Sequence, residues 1–250
     1  MRKLIVSILL LSVLAGVCSA RYLAHRRGAF QASVESYDSY IDLDGANDYI
    51  DTPDSSGNSV TGDLELVAKV APDDWTPTSH MVFVAKYNGN GTQKSFLFHL
   101  IHTSGKFRFF ISDDGSNANY ADSTTSPGFT DGDAAWVKCT YNTSTTELKY
   151  YTATTSDYPD PGDWSQLGST VTSLSETSIY DGPAEVALGA WNTDAEADYD
   201  FNGKIYYAEV RDGIDGTIVA KFNASLGSDP TYDNIDGETD WTNTGGTPGP

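Results

Sequence analysis

Paired carboxylates, histidines and cysteines are the side chains here that could do chemistry, and their spacing limits what each can do. Asp63 and Glu65 in GDLELV share one face of an extended segment, the placement in which an acid and a carboxylate can flank a glycosidic bond. They also open a strand as the polar half of an ordinary alternation, which reads as a solvated face. Of His25, His80, His99 and His102, only His99 and His102 are close in sequence. A spacing of three puts them on opposite faces of a strand, short of the converging ligands that zinc needs. There is no Gly-x-Ser-x-Gly, and the YNGNGTQKS loop has no following helix that would make it a phosphate cradle. These readings point away from an enzyme.

The densest acidic stretch is YIDLDGANDYIDTPDSSG, residues 40–57, which threads Ile, Leu and Tyr between five Asp. Across the chain Asp outnumbers Glu by 27 to 8, the mark of short carboxylates placed in turns rather than on helix faces. The net charge of −20 repels phosphate backbones and anionic lipid, so no nucleic-acid partner is expected. Cys18 and Cys139 form no disulfide framework. Cys139 falls with Val137 and Tyr141 on one face of AWVKCTY, as a buried thiol.

The elements that must position these groups are strands. From Tyr40 to about residue 242 the chain repeats short β-branched and aromatic runs separated by Gly, Asp, Asn, Ser, Thr and Pro. Eleven runs read as strands, near 40–44, 47–51, 64–70, 81–86, 95–101, 106–112, 135–141, 147–152, 185–190, 204–211 and 217–222. That number at this spacing predicts an all-β, antiparallel two-sheet sandwich or jelly roll. SFLFHLI and KFRFFIS form a central hairpin turning at Gly105, and WVKCTYNTSTTELKYY forms a second one. The second hairpin buries Val137, Cys139, Tyr141, Leu148 and Tyr150. In GDLELVAKV, Leu64, Leu66, Ala68 and Val70 face inward, opposite a polar face.

The two ends differ from this texture. Residues 1–20 carry Arg2 and Lys3, an apolar run from Leu4 to Val17 and small residues before Ala20, a signal peptide or an uncleaved hydrophobic anchor. Membrane association, if any, runs through residues 4–20. Residues 21–39 read as a basic then polar arm, 40–242 as one domain, and 243–250 as a flexible tail.

The order of these segments resembles the laminin-G-like, pentraxin-like jelly roll of the concanavalin A-like lectin and glucanase superfamily. The carriers are YIDLDGANDYIDTPDSSG followed by VTGDLELVAKVAPDDW, then FVAKYN, SFLFHL, ELKYY, EVALGAWN and FNGKIYYAEVRDGIDGTIVAKFN. DGDAAWVKCTYN and DWSQLGSTVT are similar to the variant found in tailed-phage virion proteins and bacterial surface proteins. The resemblance implies a non-catalytic extracellular, cell-surface or virion module. It would bind glycans, or act structurally by packing on a virion or cell-surface protein, with oligomers allowed. The Glu-x-Asp-x-x-Glu or Glu-x-Asp-x-Glu run of the glucanases does not occur in this sequence, which leaves hydrolysis the weaker alternative.

Sugar-binding jelly rolls stack rings on sugars and bond hydroxyls with Asp and Asn. The matching segments are SDDGSNANYADS, with Asp113, Asp114, Asn117, Asn119 and Tyr120, and GAWNTDAEADYDFNG, with Trp191, Asn192, Asp194, Asp198 and Tyr199. The alternative is that these Asp and Asn fill turns and that Trp191 caps one end of the sandwich. Two readings of residues 40–57 stand side by side. In one, Asp44 and Gly45 are a turn between edge strands. In the other, Asp44, the Gly45 carbonyl and Asp48 hold structural Ca2+ with help from Glu209, although Tyr206 and Tyr207 stand where many relatives carry an acid. Trp164, in a hairpin similar to an Asp box, reads as scaffold.

Overall fold

In the computed structural model, residues 36–191, 199–227, 231–232 and 240–250 are described; the leader, most of the arm, and Asn192, Asp194 and Asp198 lie outside them. The described chain is two antiparallel sheets. The first runs β10 (Ser165–Gln166), β9 (Glu147–Ala153), β8 (Ala135–Asn142), β3 (Leu64–Pro72), β12 (Asn202–Asp212), β1 (Ile41–Asp44) and β16 (Thr247–Pro248). β13 (Thr217–Asn223) also pairs with β12. The second runs β14 (Thr231–Tyr232), β15 (Trp241–Thr244), β2 (Tyr49–Thr52), β11 (Val186–Leu188), β4 (Met81–Tyr87), β5 (Lys94–Leu100), β6 (Phe107–Ile111) and β7 (Asn119–Asp122).

The eleven expected strands are all present, and both expected hairpins close as read. Gly105 has φ +60°, and a β-carbon there would sit 2.5 Å from the Trp75 carbonyl oxygen, so the turn needs glycine. Alternation sends Leu64, Leu66, Ala68 and Val70 into the inter-sheet core with Val137, Cys139, Tyr141, Leu148 and Tyr150. Phe83, Phe98 and Phe107 meet edge to face with centroids 5.1 to 5.6 Å apart. Each ring buried in this way contributes about 2–3 kcal/mol over an exposed one.

Two expectations need correction. Residues 243–250 are not a tail: Asn243 and Thr244 lie in β15, Thr247–Pro248 pairs with β1, and the Gly249 N–H donates to the Tyr40 carbonyl at 2.7 Å. β16 is an edge strand, where proline is tolerated. Asn119 and Tyr120 are in a strand, β7, because their backbone completes the edge of the second sheet against β6.

Candidate functional site

On the outer face of the first sheet, Glu65, Val67 and Lys69 of β3 stand between Trp136, Lys138 and Thr140 of β8 and Tyr207, Glu209 and Arg211 of β12. Every residue of β3 is buried, on both faces, because residues 154–164 after β9 fold back across the sheet. Asp163 holds the turn of this connection by accepting from the Asp160 N–H at 2.9 Å. Tyr158 packs 5.1 Å from Trp136 and donates its hydroxyl to Glu209. Tyr37, just ahead of β1, adds a third ring 5.3 Å from Trp136. Lys69 ties the layers together, donating to the Tyr37 carbonyl at 2.8 Å and the Ser156 carbonyl at 2.9 Å.

Between this connection and the turn after β12 the face stays open as a cavity of about 280 Å³. Tyr151, Tyr158 and Trp164 supply ring walls, and Glu65, Lys138 and Thr140 form the floor. Arg211, Ile214 and Asp215 close the far side. The guanidinium of Arg211 is consumed by protein. Its Nε donates to Glu209 at 2.7 Å and lies 3.5 Å from Glu65, and its other nitrogens reach the Gly216 carbonyl and the Tyr158 hydroxyl, each at 3.2 Å. Glu209 also accepts from Tyr207 at 2.8 Å, so both of its carboxyl oxygens are engaged within the protein. Glu65 is less well held. The Asp215 N–H is 3.4 Å away and Lys138 Nζ is 3.7 Å away. Burial pushes its carboxyl above the ordinary value, and the charges of Lys138 and Arg211 only partly offset this. Lys138 Nζ lies 4.5 Å from the Trp164 ring centroid and 5.1 Å from that of Tyr151.

The sequence reading of Asp63 and Glu65 as a solvated face is corrected by this arrangement. Asp63 caps the β8–β9 turn, accepting from the Thr143 N–H and hydroxyl at 2.8 Å each and from Asn142 at 3.0 Å. Glu65 is 2% exposed under the covering connection. Lys138, Tyr151 and Tyr158 were not legible as site residues, since each sits in an ordinary strand alternation or a loop. Trp164 holds the connection, as its hairpin resemblance implied, and also walls the cavity.

The sugar-binding candidates map to the second sheet. Asp114 accepts from the Ser116 and Asn117 N–H groups at 2.8 and 2.7 Å and from the Asn117 side chain at 2.8 Å. These bonds lower its carboxyl to about 2 and make it a turn anchor beside exposed Asp113. Asn119 donates to Glu176. Trp191 and Tyr199 come together on the sheet's outer face, where Trp191 lies nearly parallel to Tyr87 and Tyr199 at 5.2 and 5.1 Å. Its ring already has stacking partners. Tyr120 is 51% exposed, with the Arg108 guanidinium 4.0 Å over its ring. On the same face His80 packs against both His99 and His102, at 4.9 and 4.5 Å, a cluster that sequence spacing did not show.

The expected calcium residues come together only in part. The Asp44 N–H donates to Asp48 at 3.1 Å, and both acids line a depression with Asp42, Asp73 and Asn202. Glu209 is elsewhere: Asp44 pairs with Asn202, and Glu209 follows seven positions along β12, about 20 Å away. Asp44 also accepts from the Ala46 N–H at 2.8 Å, the turn role of the alternative reading. Among the described residues no group of three or more His, Cys, Asp or Glu is arranged to hold a metal.

No known family matches the chain, and no curated protein does. Solved structures do. A candidate carbohydrate-binding protein of Bacteroides ovatus aligns with TM-score 0.57 and 12% identity over 84% of this chain and 59% of its own. The chain therefore spans about three fifths of that protein. A heptameric SAP-like pentraxin of Limulus polyphemus aligns with TM-score 0.52 and 12% identity, over 72% of this chain and 79% of its own. At such identity the likeness is one of architecture, and the chain is an antiparallel two-sheet jelly-roll sandwich with the fold seen in that pentraxin.

Proposed function

We propose that this protein is a non-catalytic glycan-binding module whose site is the cavity on the outer face of the first sheet. The observation that carries this reading is the pairing of ring walls, Trp164 and Tyr151, with incompletely bonded polar groups, Glu65 and Lys138, in one sugar-sized hollow. Sugar rings offer C–H faces to aromatics and hydroxyls to charged partners, and this surface offers both complements. The carbohydrate-binding description of the Bacteroides ovatus neighbour supports the same reading at the level of fold. Residues 1–20, read as an export or anchoring segment, support a cell-surface, extracellular or virion setting.

Binding is favoured over hydrolysis because the glucanase carboxylate run is absent from the sequence and Glu209 is held by Tyr158, Tyr207 and Arg211 outside the cavity; Asp215 does line it beside Glu65, so hydrolysis is measured alongside binding. A glycosidase needs both acids at the bond. The test is a glycan array with the purified protein, followed by titration of each hit. Retention that Trp164→Ala reduces at least tenfold, with no release of reducing ends over a day, is expected. Absence of any retained glycan, or steady release of reducing ends, overturns the reading.

A further inference from the structure

Lys138 is an unusual group for the floor of a cavity. Its side chain is 10% exposed, yet among the described residues its ammonium makes no hydrogen bond, and its nearest counter-charge, Glu65, lies at 3.7 Å. That separation is beyond hydrogen-bond reach. The ammonium is instead flanked by the rings of Trp164 and Tyr151. Glu65 is in a similar state, with its N–H and guanidinium neighbours at 3.4 and 3.5 Å. A donor-only group and an acceptor therefore stand side by side, both buried and both under-bonded. Both open onto the cavity, where the polar groups of a ligand can complete their bonding.

We propose, building on the glycan-binding reading, that the cavity selects one terminal neutral sugar unit and reads two adjacent hydroxyls of it through Lys138 and Glu65. A hydroxyl both donates and accepts, so a vicinal diol can take a hydrogen bond from Lys138 and give one to Glu65. A carboxylated sugar would satisfy Lys138 but meet Glu65 and Asp215 in a protein of net charge −20. An amino sugar would satisfy Glu65 but bring an ammonium against Lys138. The hollow lies between Tyr158 and Trp164 on one side and the Ile214–Asp215 turn on the other, with room for one unit, and the capped probes below test that this unit is a chain end. Its 280 Å³ is at the small end of ligand pockets, which begin near about 300 Å³.

The experiment is calorimetric titration of the full chain with four sets of probes. These are neutral hexosides, the same hexosides lacking one of two adjacent hydroxyls, hexuronic and amino-sugar glycosides, and neutral oligosaccharides capped at the non-reducing end. Neutral hexosides are expected to bind, with tenfold or greater loss on deleting either hydroxyl, on capping, and in Lys138→Met or Glu65→Gln. Thermal melts of both variants, with Lys138→Arg as a second cationic variant, separate lost recognition from lost folding. Retention through Trp164 combined with preference for acidic or amino sugars, or indifference to capping, overturns this inference while leaving the glycan-binding reading intact. Failure of every saccharide to bind defeats both.

Discussion

The His80 ring packs against the His99 ring at 4.9 Å between centroids, and His99, fully buried, has no partner for either ring nitrogen among the described residues. Arg108 adds positive charge beside the pair and is tied to Asp122, His102 packs on His80, and Tyr199 and Phe110 supply the remaining ring walls. Burial, then the charges of His80 and Arg108, hold His99 well below its ordinary value of 6.5. The fold therefore favours neutral His99, so its contribution is full above pH 6.5 and is lost as pH falls below that. Acidification from pH 7 to pH 5 is expected to remove the His99 contribution to the melting temperature, against the opposite effect of the raised Asp51 and Glu65 carboxyls. His99→Leu should abolish that loss, about 3 °C at pH 5. Parallel slopes for the two proteins in differential scanning fluorimetry would refute this.

Lys69 joins three layers of chain through the Tyr37 and Ser156 carbonyls. Replacing it with Met keeps the stem and removes both hydrogen bonds, at a cost of about 2 kcal/mol. Urea denaturation should show that loss. Limited proteolysis should show earlier cutting near Tyr37 and near Ser156, whereas an unchanged digestion pattern would mean the clip does not hold the covering connection down.

Trp191 and Tyr120, both sugar-stacking candidates by sequence, are expected to separate on mutation. Trp191→Ala removes a ring stacked on Tyr87 and Tyr199 and should destabilise by about 2 kcal/mol. Tyr120→Ala, at a site 51% exposed, should stay within about 0.5 kcal/mol of the parent. Glycan retention should survive Tyr120→Ala and fail in Trp164→Ala; the reverse would move the site to the second sheet.

The strand layout was readable because period-two alternation is a local property. Leu64, Leu66, Ala68 and Val70 announce one buried face whatever pairs beside them, and the dense apolar runs around HTSGK announce a central hairpin. Edge elements were missed for the same reason. Asn119–Asp122 and Thr247–Pro248 carry polar residues and a proline, and become strands only because β6 and β1 leave backbone groups to be paired.

By itself, then, the sequence determined an antiparallel sandwich, the inward face of each main strand and the turn at Gly105, all of which depend on neighbours within a few residues. Tertiary structure alone decided that the outward face of β3 is also buried, that Glu65 and Lys138 share a cavity with Trp164, that His80 meets His99, and that Glu209 lies far from Asp44. The physical reason is that alternation specifies which side of a strand avoids water. It carries no record of which distant strand lies alongside or which connection folds over the other side.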